Sequence, residues 1–413
     1  MDRVVVRYGE LGVKGPPVRR RMEERLRSNL EAAFDHRGVD WRFERREGRL
    51  VGVPSDEQDD VSDGSDISNV TVDADATTAA AEATGAAEAA SVASALPGVV
   101  SASPAVAVDP DREAIYDAMV ALATARAGSF DTYAVRASRA RDDHDFTSPE
   151  LEREGGTAVG EAVDAAVDLE DPDVTFEADV RPGVAYVFCE RLAGPGGLPI
   201  GTQAPLVALV SGGIDSPVAA FEAMRRGSPV IPVYVDLGDF GGVDHRTRAI
   251  AACERLAARA PNFDGRPYVV DGGETLADLA RRVERGRMLS LRRYFFAVAE
   301  TIAAREDAAG IVTGEALGQK SSQTARNLEV TSSAVDLPVH RPLFSMDKPD
   351  ITERARELGT YEEAEIPAGC NRLVPDRPET AGRLEALLAV EPDDLLARAE
   401  ADARAARRVD VRG

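Results

Sequence analysis

The chain has 413 residues, which is enough for two or three domains with real hydrophobic cores. It is 44% hydrophobic but has no run of about 18 apolar residues, which argues against a membrane span. The net charge is −23, with three lysines and 46 arginines, a balance that does not by itself suggest a nucleic-acid-binding protein.

The first 53 residues predict a small α/β unit. VVVRYGE predicts a strand, VRRRMEERLRSNLEAAF has helical periodicity, and VDWRFERREGRLVGV predicts two strands of a hairpin. Residues 1–50 hold 13 Lys or Arg against 9 Asp or Glu, so this segment is a basic island in an acidic chain. Its start lacks the apolar segment of a signal peptide, and we therefore expect a cytoplasmic protein.

Residues 55–90 have a different composition, with ten acidic residues and no basic or aromatic ones. Part of this stretch suits a helix, but most of it predicts a solvated acidic insertion that lengthens a loop. Dispersed carboxylates also suit a halophilic protein in a salty cytosol, where a short Debye length makes net charge a poor guide to partners. A GC-rich genome would favour the same Arg, Ala, Gly and Asp residues.

Residues 92–193 predict a second α/β unit. REAIYDAMVALATA and TAVGEAVDAAV favour helices, FDTYAVRASRA favours a strand, and VTFEADVRPGVAYVFCERL favours two strands joined at Pro182-Gly183. The Gly- and Pro-rich stretch 194–203 is typical of a linker. This unit is therefore expected to end near residue 194.

Strand and helix patterns alternate from residue 205 onward, through PLVALV, PVAAFEAMRRG, SPVIPVYVDL, RTRAIAACERLAARA, RPYVVD, a long helical region over 275–306, and GIVTGEA. This alternation predicts a parallel sheet covered by helices. Ligands bind beyond the carboxyl ends of the strands in such sheets. The end of PLVALV, at Ser211, is therefore a candidate site.

Residues 209–220, LVSGGIDSPVAA, have the composition of an anion-binding loop. Gly212 and Gly213 allow a tight turn and a close backbone approach, and successive N–H groups can form a nest. Pro217 suits a first helical turn, whose N-terminus adds positive charge. An aspartate at position 215 suits a site where Mg²⁺ accompanies the phosphates, or a positioning role. The loop is not a Walker A motif, because no lysine follows its final glycine. A plain strand-to-helix turn capped by Ser216 is the alternative.

Five strings together resemble the 4-thiouridine synthetase group, the ThiI-type tRNA sulfurtransferases of the PP-loop ATP-pyrophosphatase superfamily. SGGIDS resembles the PP-loop, and RYGELGVKG (7–15) resembles the start of the ferredoxin-like domain. FDTYAVRASRARDDHDFTSPELEREGG resembles the THUMP RNA-binding domain. TGEALGQKSSQTARNL (313–328) and RPLFSMDKPDITERARELGTYE (341–362) resemble the catalytic domain.

The resemblance implies an α/β fold class with four parts. These are a ferredoxin-like domain over 1–91 that carries the insertion at about 55–90, a THUMP domain over 92–194, a parallel-sheet PP-loop domain over 203–385, and a C-terminal tail over 386–413. It also implies the reaction. ATP adenylates O4 of the uridine at position eight of tRNA and releases pyrophosphate, and a sulfur nucleophile then displaces AMP from C4 to leave 4-thiouridine. Part of the family also supplies sulfur for thiamine thiazole synthesis.

The resemblance assigns a set of nucleotide-site residues. Asp215 would hold Mg²⁺ and position the phosphates, and Lys348 would offset charge during adenylation. Arg292 is uncertain by one position because Arg293 follows it. Arg292, Gln323 and Lys348 also have ordinary interpretations as a helix arginine, a helix N-terminal residue and a surface lysine. The ATP-binding set implied by the resemblance is Leu209, Val210, Ser211, Gly212, Gly213, Ser216, Tyr234, Val235, Arg292, Gly314 and Gln323.

Cys370, in IPAGCNRLVPDRPET, matches the family's sulfur-transfer cysteine, acting as a persulfide or through a disulfide. Cys189 and Cys253 are expected to be packing residues. No C-x-x-C pair is present, so neither a disulfide framework nor an iron–sulfur cluster is expected. Only 43 residues follow Cys370, too few for a rhodanese domain. The sulfur donor therefore stays open between a cysteine desulfurase, another carrier and free sulfide.

The implied partner is tRNA, recognised by its shape and phosphates. The candidate contacts, each also interpretable as a solvated face, are Lys14, Arg19, Arg20, Arg21, Arg136, Arg139 and Arg141. Relatives form dimers, so a homodimer is expected. Two other interpretations stay open, namely another PP-loop tRNA thiolase and an RNA-binding protein without catalysis.

Overall fold

The computed structural model describes residues 1–46, 48–55, 76–142, 144–241, 243–362, 373 and 378–411. The chain forms two compact units, Met1–Pro199 and Ile200–Gly413. Within the described ranges, no helix combines the length and the apolar character needed to cross a membrane.

The first unit contains a nine-stranded sheet with helices packed against it. Its first half contains β1 (Arg3–Arg7), α1 (Pro16–Arg37), β2 (Trp41–Arg46), β3 (Arg49–Pro54), α2 (Ala76–Ser94) and β4 (Ser101–Val108). Its second half contains α3 (Arg112–Ala125), β5 (Thr132–Arg139), α4 (Ser148–Ala162), β6 (Ala166–Val167), β7 (Val174–Arg181), β8 (Val184–Phe188) and β9 (Leu192–Ala193). The strand order is β2-β3-β1-β4-β8-β7-β5-β6, with β9 beside β4.

Strand β4 belongs to both halves of this sheet. Its residues 101–105 pair with β1, and its residues 106–108 pair with β8. One core cluster lies among β1, α1 and α2, and another lies among α3, α4 and β5. The two halves of the first unit therefore share one strand, and each half is hydrogen-bonded to a different part of it.

Helix α2 changes the expected nature of the acidic segment. It begins at Ala76, inside the range 55–90 that was expected to be mostly a loop insertion. Ala86, Ala89, Ala90 and Ala93 are fully buried and share a core with α1. The small alanine side chains let the helix lie close to the sheet, so the C-terminal part of the segment is a structural element of the first half.

The second unit is a six-stranded sheet in the order β14-β13-β10-β11-β12-β15. All neighbours are parallel except β15, which pairs antiparallel with β12. The strands are β10 (Leu206–Leu209), β11 (Val230–Asp236), β12 (Tyr268–Asp271), β13 (Ile311–Val312), β14 (Val339–His340) and β15 (Arg407–Arg408). The helices are α5 (Asp215–Arg225), α6 (Val243–Ala257), α7 (Gly273–Arg282), α8 (Arg287–Glu306), α9 (Ala325–Ser332), α10 (Lys348–Leu358), α11 (Leu384–Leu388) and α12 (Leu395–Ala405).

Helices cover both faces of this sheet, as the strand–helix alternation predicted. Alternate residues of β10 enter different cores: Val207 packs with α8 and α12, whereas Ala208 packs with α5, α6 and α10. The helical region expected over 275–306 is divided, because Gly286 adopts a φ of 80° between α7 and α8.

Residues 386–411, which lie in the segment 386–413 expected to be a tail, instead complete this unit. Helix α12 buries Leu395, Ala399 and Ala403 in the core of α8, and β15 pairs at the sheet edge. The composition of this segment is rich in Ala, Asp and Arg, so its apolar positions are small and the amphipathic pattern is weak. The parallel-sheet unit therefore extends well beyond residue 385.

Candidate active site

The loop 211–214 leaves the carboxyl end of β10 and leads directly into α5. Ser216 does not cap the helix, which begins at Asp215 with Ile214 at the N-cap position. The Ser216 hydroxyl instead accepts a hydrogen bond from the Ser211 backbone N–H at 2.8 Å. The Ser211 hydroxyl in turn accepts from the Gly213 N–H at 3.3 Å. The two serines therefore hold the loop in a fixed curve, with the helix N-terminus behind it.

Two glycines allow close backbone packing around this loop. A Cβ on Gly314 would lie 2.7 Å from the Ser216 nitrogen and 2.8 Å from the Asp215 carbonyl carbon. A Cβ on Gly212 would lie 2.9 Å from the carbonyl oxygen of His245. The loop after β13 thus reaches the PP-loop only because residue 314 has no side chain.

A pocket of about 190 Å³ opens between the ends of β10, β11 and β13. Apolar side chains of α8 form one wall, and polar groups from the two motif loops form the other. Gly212 lies in the loop but outside the lining, and Lys348 reaches the site through Asp215. The residues expected at this site that line the pocket are Leu209, Val210, Ser211, Gly213, Asp215, Ser216, Tyr234, Val235, Arg292, Gly314 and Gln323.

Arg292 belongs to a buried polar network at the pocket. It forms an ion pair with Glu315, which is 1% exposed, and the other oxygen of this carboxylate accepts from Arg341 at 2.8 Å. The Gln323 amide fits when its nitrogen donates to the Ala316 carbonyl at 2.8 Å and its oxygen accepts from Arg292 at 3.3 Å. Two guanidinium groups thus surround one carboxylate, which leaves a surplus positive charge beside the pocket.

Arg293, the neighbouring alternative, points away from this site. Its guanidinium is buried and forms an ion pair with Glu391 at 3.0 Å. It also donates to the Ser333 hydroxyl at 2.8 Å. Successive helical residues lie about 100° apart, so only one of the two arginines can face the pocket. Here Arg292 faces the pocket and Arg293 holds the C-terminal segment.

Lys348 and Asp215 meet at the edge of the site. The lysine Nζ lies 2.5 Å from Asp215 Oδ1, although the two residues lie on different helices. The lysine side chain is 49% exposed and the aspartate side chain 22% exposed. This arrangement places a mobile cation and a carboxylate where phosphates would approach the loop. Neither side chain of this pair is buried in the hydrophobic core.

Sequence reasoning missed four polar residues that line the pocket, namely Thr313, Glu315, Lys320 and His245. Thr313, Glu315 and Lys320 lie within TGEALGQKSSQ, so this motif was the signal for all three. His245 is buried on α6, and its Nδ1 lies 3.2 Å from the Tyr234 hydroxyl. A lone histidine in GGVDHRT gave no comparable signal, because its position depends on how α6 packs against the loop.

The cysteines differ in their environments. Cys253 is fully buried on α6, and burial strongly raises the pKa of its thiol. Burial also raises the pKa of Cys189. Neither thiol is therefore a ready thiolate at neutral pH. Cys370, the expected sulfur-transfer residue, lies outside the described residues.

The candidate RNA contacts of the first unit fall into two groups. On α1, Arg20 and Arg21 are exposed, and Arg19 is exposed beside Glu23 at 3.6 Å. Lys14 is half-buried just before this helix. The second group lies on and after β5. There, Arg136 is exposed and donates to the Leu169 carbonyl, and Arg141 is exposed.

Arg139 is the least accessible of these candidates. Its side chain is 13% exposed and donates to Asp142 at 3.1 Å.

Among the described residues, no three His, Cys, Asp or Glu side chains converge as a metal-binding group. A single carboxylate such as Asp215 still suits Mg²⁺, which is commonly held by one or two carboxylates together with substrate phosphates.

Comparisons with known proteins agree along the whole chain. Residues 201–394 match the family model "Thiamine biosynthesis protein (ThiI)", residues 110–190 match the THUMP domain, and residues 3–70 match the ThiI ferredoxin-like domain. A "Probable tRNA sulfurtransferase" of Halobacterium salinarum is 47% identical over 99% of this chain and 98% of its own. A "tRNA sulfurtransferase" of Pyrobaculum aerophilum is 35% identical over 90% of this chain and 69% of its own.

Two solved structures share the fold over most of the chain. A 4-thiouridine synthetase in complex with RNA and ATP has a TM-score of 0.76 and 27% identity, covering 98% of both chains. PH1313 from Pyrococcus horikoshii has a TM-score of 0.64 and 22% identity, covering 87% of this chain and 100% of its own.

Proposed function

This chain belongs to the tRNA sulfurtransferase family, and we propose that it replaces O4 of the uridine at position eight of tRNA with sulfur in an ATP-dependent reaction. The observation that carries the proposal is the pocket at the end of β10. There the SGGIDS loop and the TGEALGQ loop, far apart in sequence, meet through the close approach of Gly314 to Ser216.

The pocket supplies what adenylation requires. Backbone N–H groups in the first turn of α5, which have no intrahelical partners, would bind phosphate, and the apolar wall of α8 would hold the adenine. Uridine O4 attacks the α-phosphorus of ATP, and pyrophosphate leaves with the electrons of the broken P–O bond. Lys348 would donate to the phosphate oxygens as negative charge moves onto the leaving group. Asp215 would then act as the ligand of Mg²⁺, which would neutralise phosphate charge when bound.

The second stage is a substitution at C4. Sulfur adds to C4, and AMP leaves with the oxygen that was O4. We propose Cys370 as the sulfur-transferring residue, because burial disfavours the thiolate form of both other cysteines. A cysteine desulfurase or another persulfide carrier would transfer its outer sulfur atom to the Cys370 thiolate, the resulting persulfide would add to C4, and a thiol reductant would cleave the S–S bond. Free sulfide would instead add to C4 directly, without Cys370.

The decisive experiment is nucleoside mass spectrometry on unmodified tRNA incubated with the purified chain, ATP, Mg²⁺ and sulfide at high salt. The appearance of 4-thiouridine supports the whole assignment. Pyrophosphate release without 4-thiouridine supports adenylation and locates the missing step in sulfur delivery. If neither product forms, the assignment fails. In a parallel assay with a cysteine desulfurase and cysteine in place of sulfide, Cys370→Ala should release pyrophosphate without thiolation, with Cys189→Ala as the control that keeps both.

The tRNA would contact exposed basic residues of the first unit, in particular Arg20 and Arg21. The described residues offer neither of them an ion-pair partner. The double change to alanine should lower the slope of log affinity against log salt by about two, since each lost phosphate contact lowers it by about one. Arg27→Ala on the same helix is the control, because that guanidinium already binds Glu24 and Glu31. An unchanged slope would contradict this surface.

We also propose that the chain acts as a homodimer. Sedimentation equilibrium with and without tRNA would measure the mass of the assembly. A mass of one chain at working concentration would refute the dimer without touching the chemistry.

A further inference from the structure

His245 is a buried side chain at the nucleotide pocket that the reaction scheme above does not use. It is 3% exposed on α6 and belongs to the pocket lining. Its Nδ1 lies 3.2 Å from the hydroxyl of Tyr234. Its Nε2 is buried and has no hydrogen-bond partner among the described residues. Burying a polar nitrogen without a hydrogen bond costs free energy, so a hydrogen-bond partner is expected at this position.

The hydrogen bond to Tyr234 fixes which nitrogen carries the proton. Tyr234 is 1% exposed, and within the described part of the chain His245 is the only hydrogen-bond partner of its hydroxyl. A buried phenol satisfies its donor capacity by donating, so Nδ1 accepts and the imidazole proton lies on Nε2. Burial, followed by the nearby Arg248, also lowers the pKa of His245, which keeps the ring neutral. The free Nε2 is therefore an N–H donor.

The donor lies next to the part of the pocket that suits phosphate. The ring carbon Cδ2, bonded directly to Nε2, lies 3.4 Å from the position that a Cβ on Gly212 would take. Gly212 is in the middle of the PP-loop, beside the helix N-terminus. The apolar residues Met288, Leu291 and Phe295, which suit a nucleobase, come from α8 instead. The Cδ2–Nε2 edge of the ring therefore lies nearer the loop 211–214 than the apolar wall of α8.

We propose that His245 is a further ATP-binding residue, which donates from Nε2 to a phosphate oxygen of the nucleotide while Tyr234 holds its tautomer. The inference rests on the proposed function, since it assigns the ligand of that same pocket. A hydrogen bond to a charged group, added to the loop N–H groups, favours ATP over adenosine. Tyr234 acts through His245 as a positioning residue.

The test measures the binding of ATP with Mg²⁺, and of adenosine, by isothermal titration calorimetry. His245→Leu should weaken ATP binding about 10- to 100-fold, the effect of losing one charge-assisted hydrogen bond, and leave adenosine binding within about 2-fold. His245→Gln, whose Nε2 is also a donor, should restore most of the ATP affinity. Thermal unfolding without nucleotide checks that each variant folds.

A Leu variant that binds ATP as tightly as the unmodified chain overturns the inference. Equal losses for ATP and adenosine overturn it too, because they place His245 at the nucleoside. If the Leu variant fails to fold, Tyr234→Phe carries the test: it should weaken ATP binding and spare adenosine, and any other pattern counts against the tautomer argument. Absence of ATP binding by the unmodified chain would instead overturn the proposed function itself.

Discussion

Replacing Gly314 with alanine should disrupt the site by a single methyl group. The new Cβ would lie 2.7 Å from the Ser216 nitrogen, about 0.7 Å inside the 3.4 Å at which ordinary contact begins. The atoms it meets are backbone atoms at the start of α5, which cannot rotate away as a flexible side chain can. The PP-loop and the TGEALGQ loop must therefore move apart.

The expected magnitudes follow from this displacement. Overpacking of this kind costs about 1–3 kcal/mol of unfolding free energy. A misplacement approaching 1 Å in a reactive site costs about 100-fold in rate. Gly314→Ala should therefore lower both the urea midpoint and the rate of AMP release, the latter by about two orders of magnitude.

Gly213→Ala is the matched control for stability. A Cβ there would meet only the Ser211 hydroxyl, at an ordinary 3.6 Å. Both changes reduce the entropy of the unfolded chain equally, so their difference isolates the steric contact. The control should keep the free energy of unfolding within about 0.5 kcal/mol. If Gly314→Ala unfolds and releases AMP like the unmodified chain, the close approach is not what requires this glycine.

Three further predictions concern charged groups. Lys348→Met should slow AMP release strongly while changing unfolding free energy by less than about 1 kcal/mol, because its ion pair with Asp215 is half-exposed; a large stability loss in urea would contradict this. Arg293→Met should cost about 3–5 kcal/mol in the same titration by leaving Glu391 buried and unpaired, whereas Arg404→Met, which breaks an exposed pair, should cost about 0.5 kcal/mol; similar losses would refute the distinction. Burial lowers the pKa of His245 in the folded state below its ordinary 6.5, so its contribution to stability is present above that pH and is lost as the pH falls. Urea titrations at pH 8 and pH 5.5 should therefore show that the unmodified chain loses more stability than His245→Gln. Equal losses in the two proteins would refute this pH dependence.

The sequence predicted the parts of the fold that depend on local pattern. The strand–loop–helix at Ser211 and the parallel sheet were confirmed, because continuous apolar strands and glycine turns leave strong signals. The C-terminal helix α12 has only a weak sequence signal, since alanines such as Ala399 and Ala403 are buried by tertiary contacts alone. Helix α2 was obscured for the same reason.

The site was predictable where motifs carry it and not where packing does. The choice between Arg292 and Arg293 required the structure, because only the position of Glu315 decides which guanidinium faces the pocket. The role of Glu315 itself could not be derived, since its two arginine partners come from different elements. The location of His245 at the pocket could not be predicted for the same reason, because it depends on how α6 packs against Gly212.

The sharing of β4 has a mechanical consequence. The ferredoxin-like and THUMP halves match separate family models, yet they share strand β4, whose residues 101–105 pair with β1 and whose residues 106–108 pair with β8. A hinge between them would have to bend this strand and separate the buried cluster in which Val5, Val51 and Ala105 pack with Tyr186 and Phe188. The distance from Arg20 and Arg21 of α1 to Arg136 of β5 is therefore expected to stay constant. If these arginines bind phosphates as proposed, the first unit would accept only an RNA whose phosphates have the matching spacing.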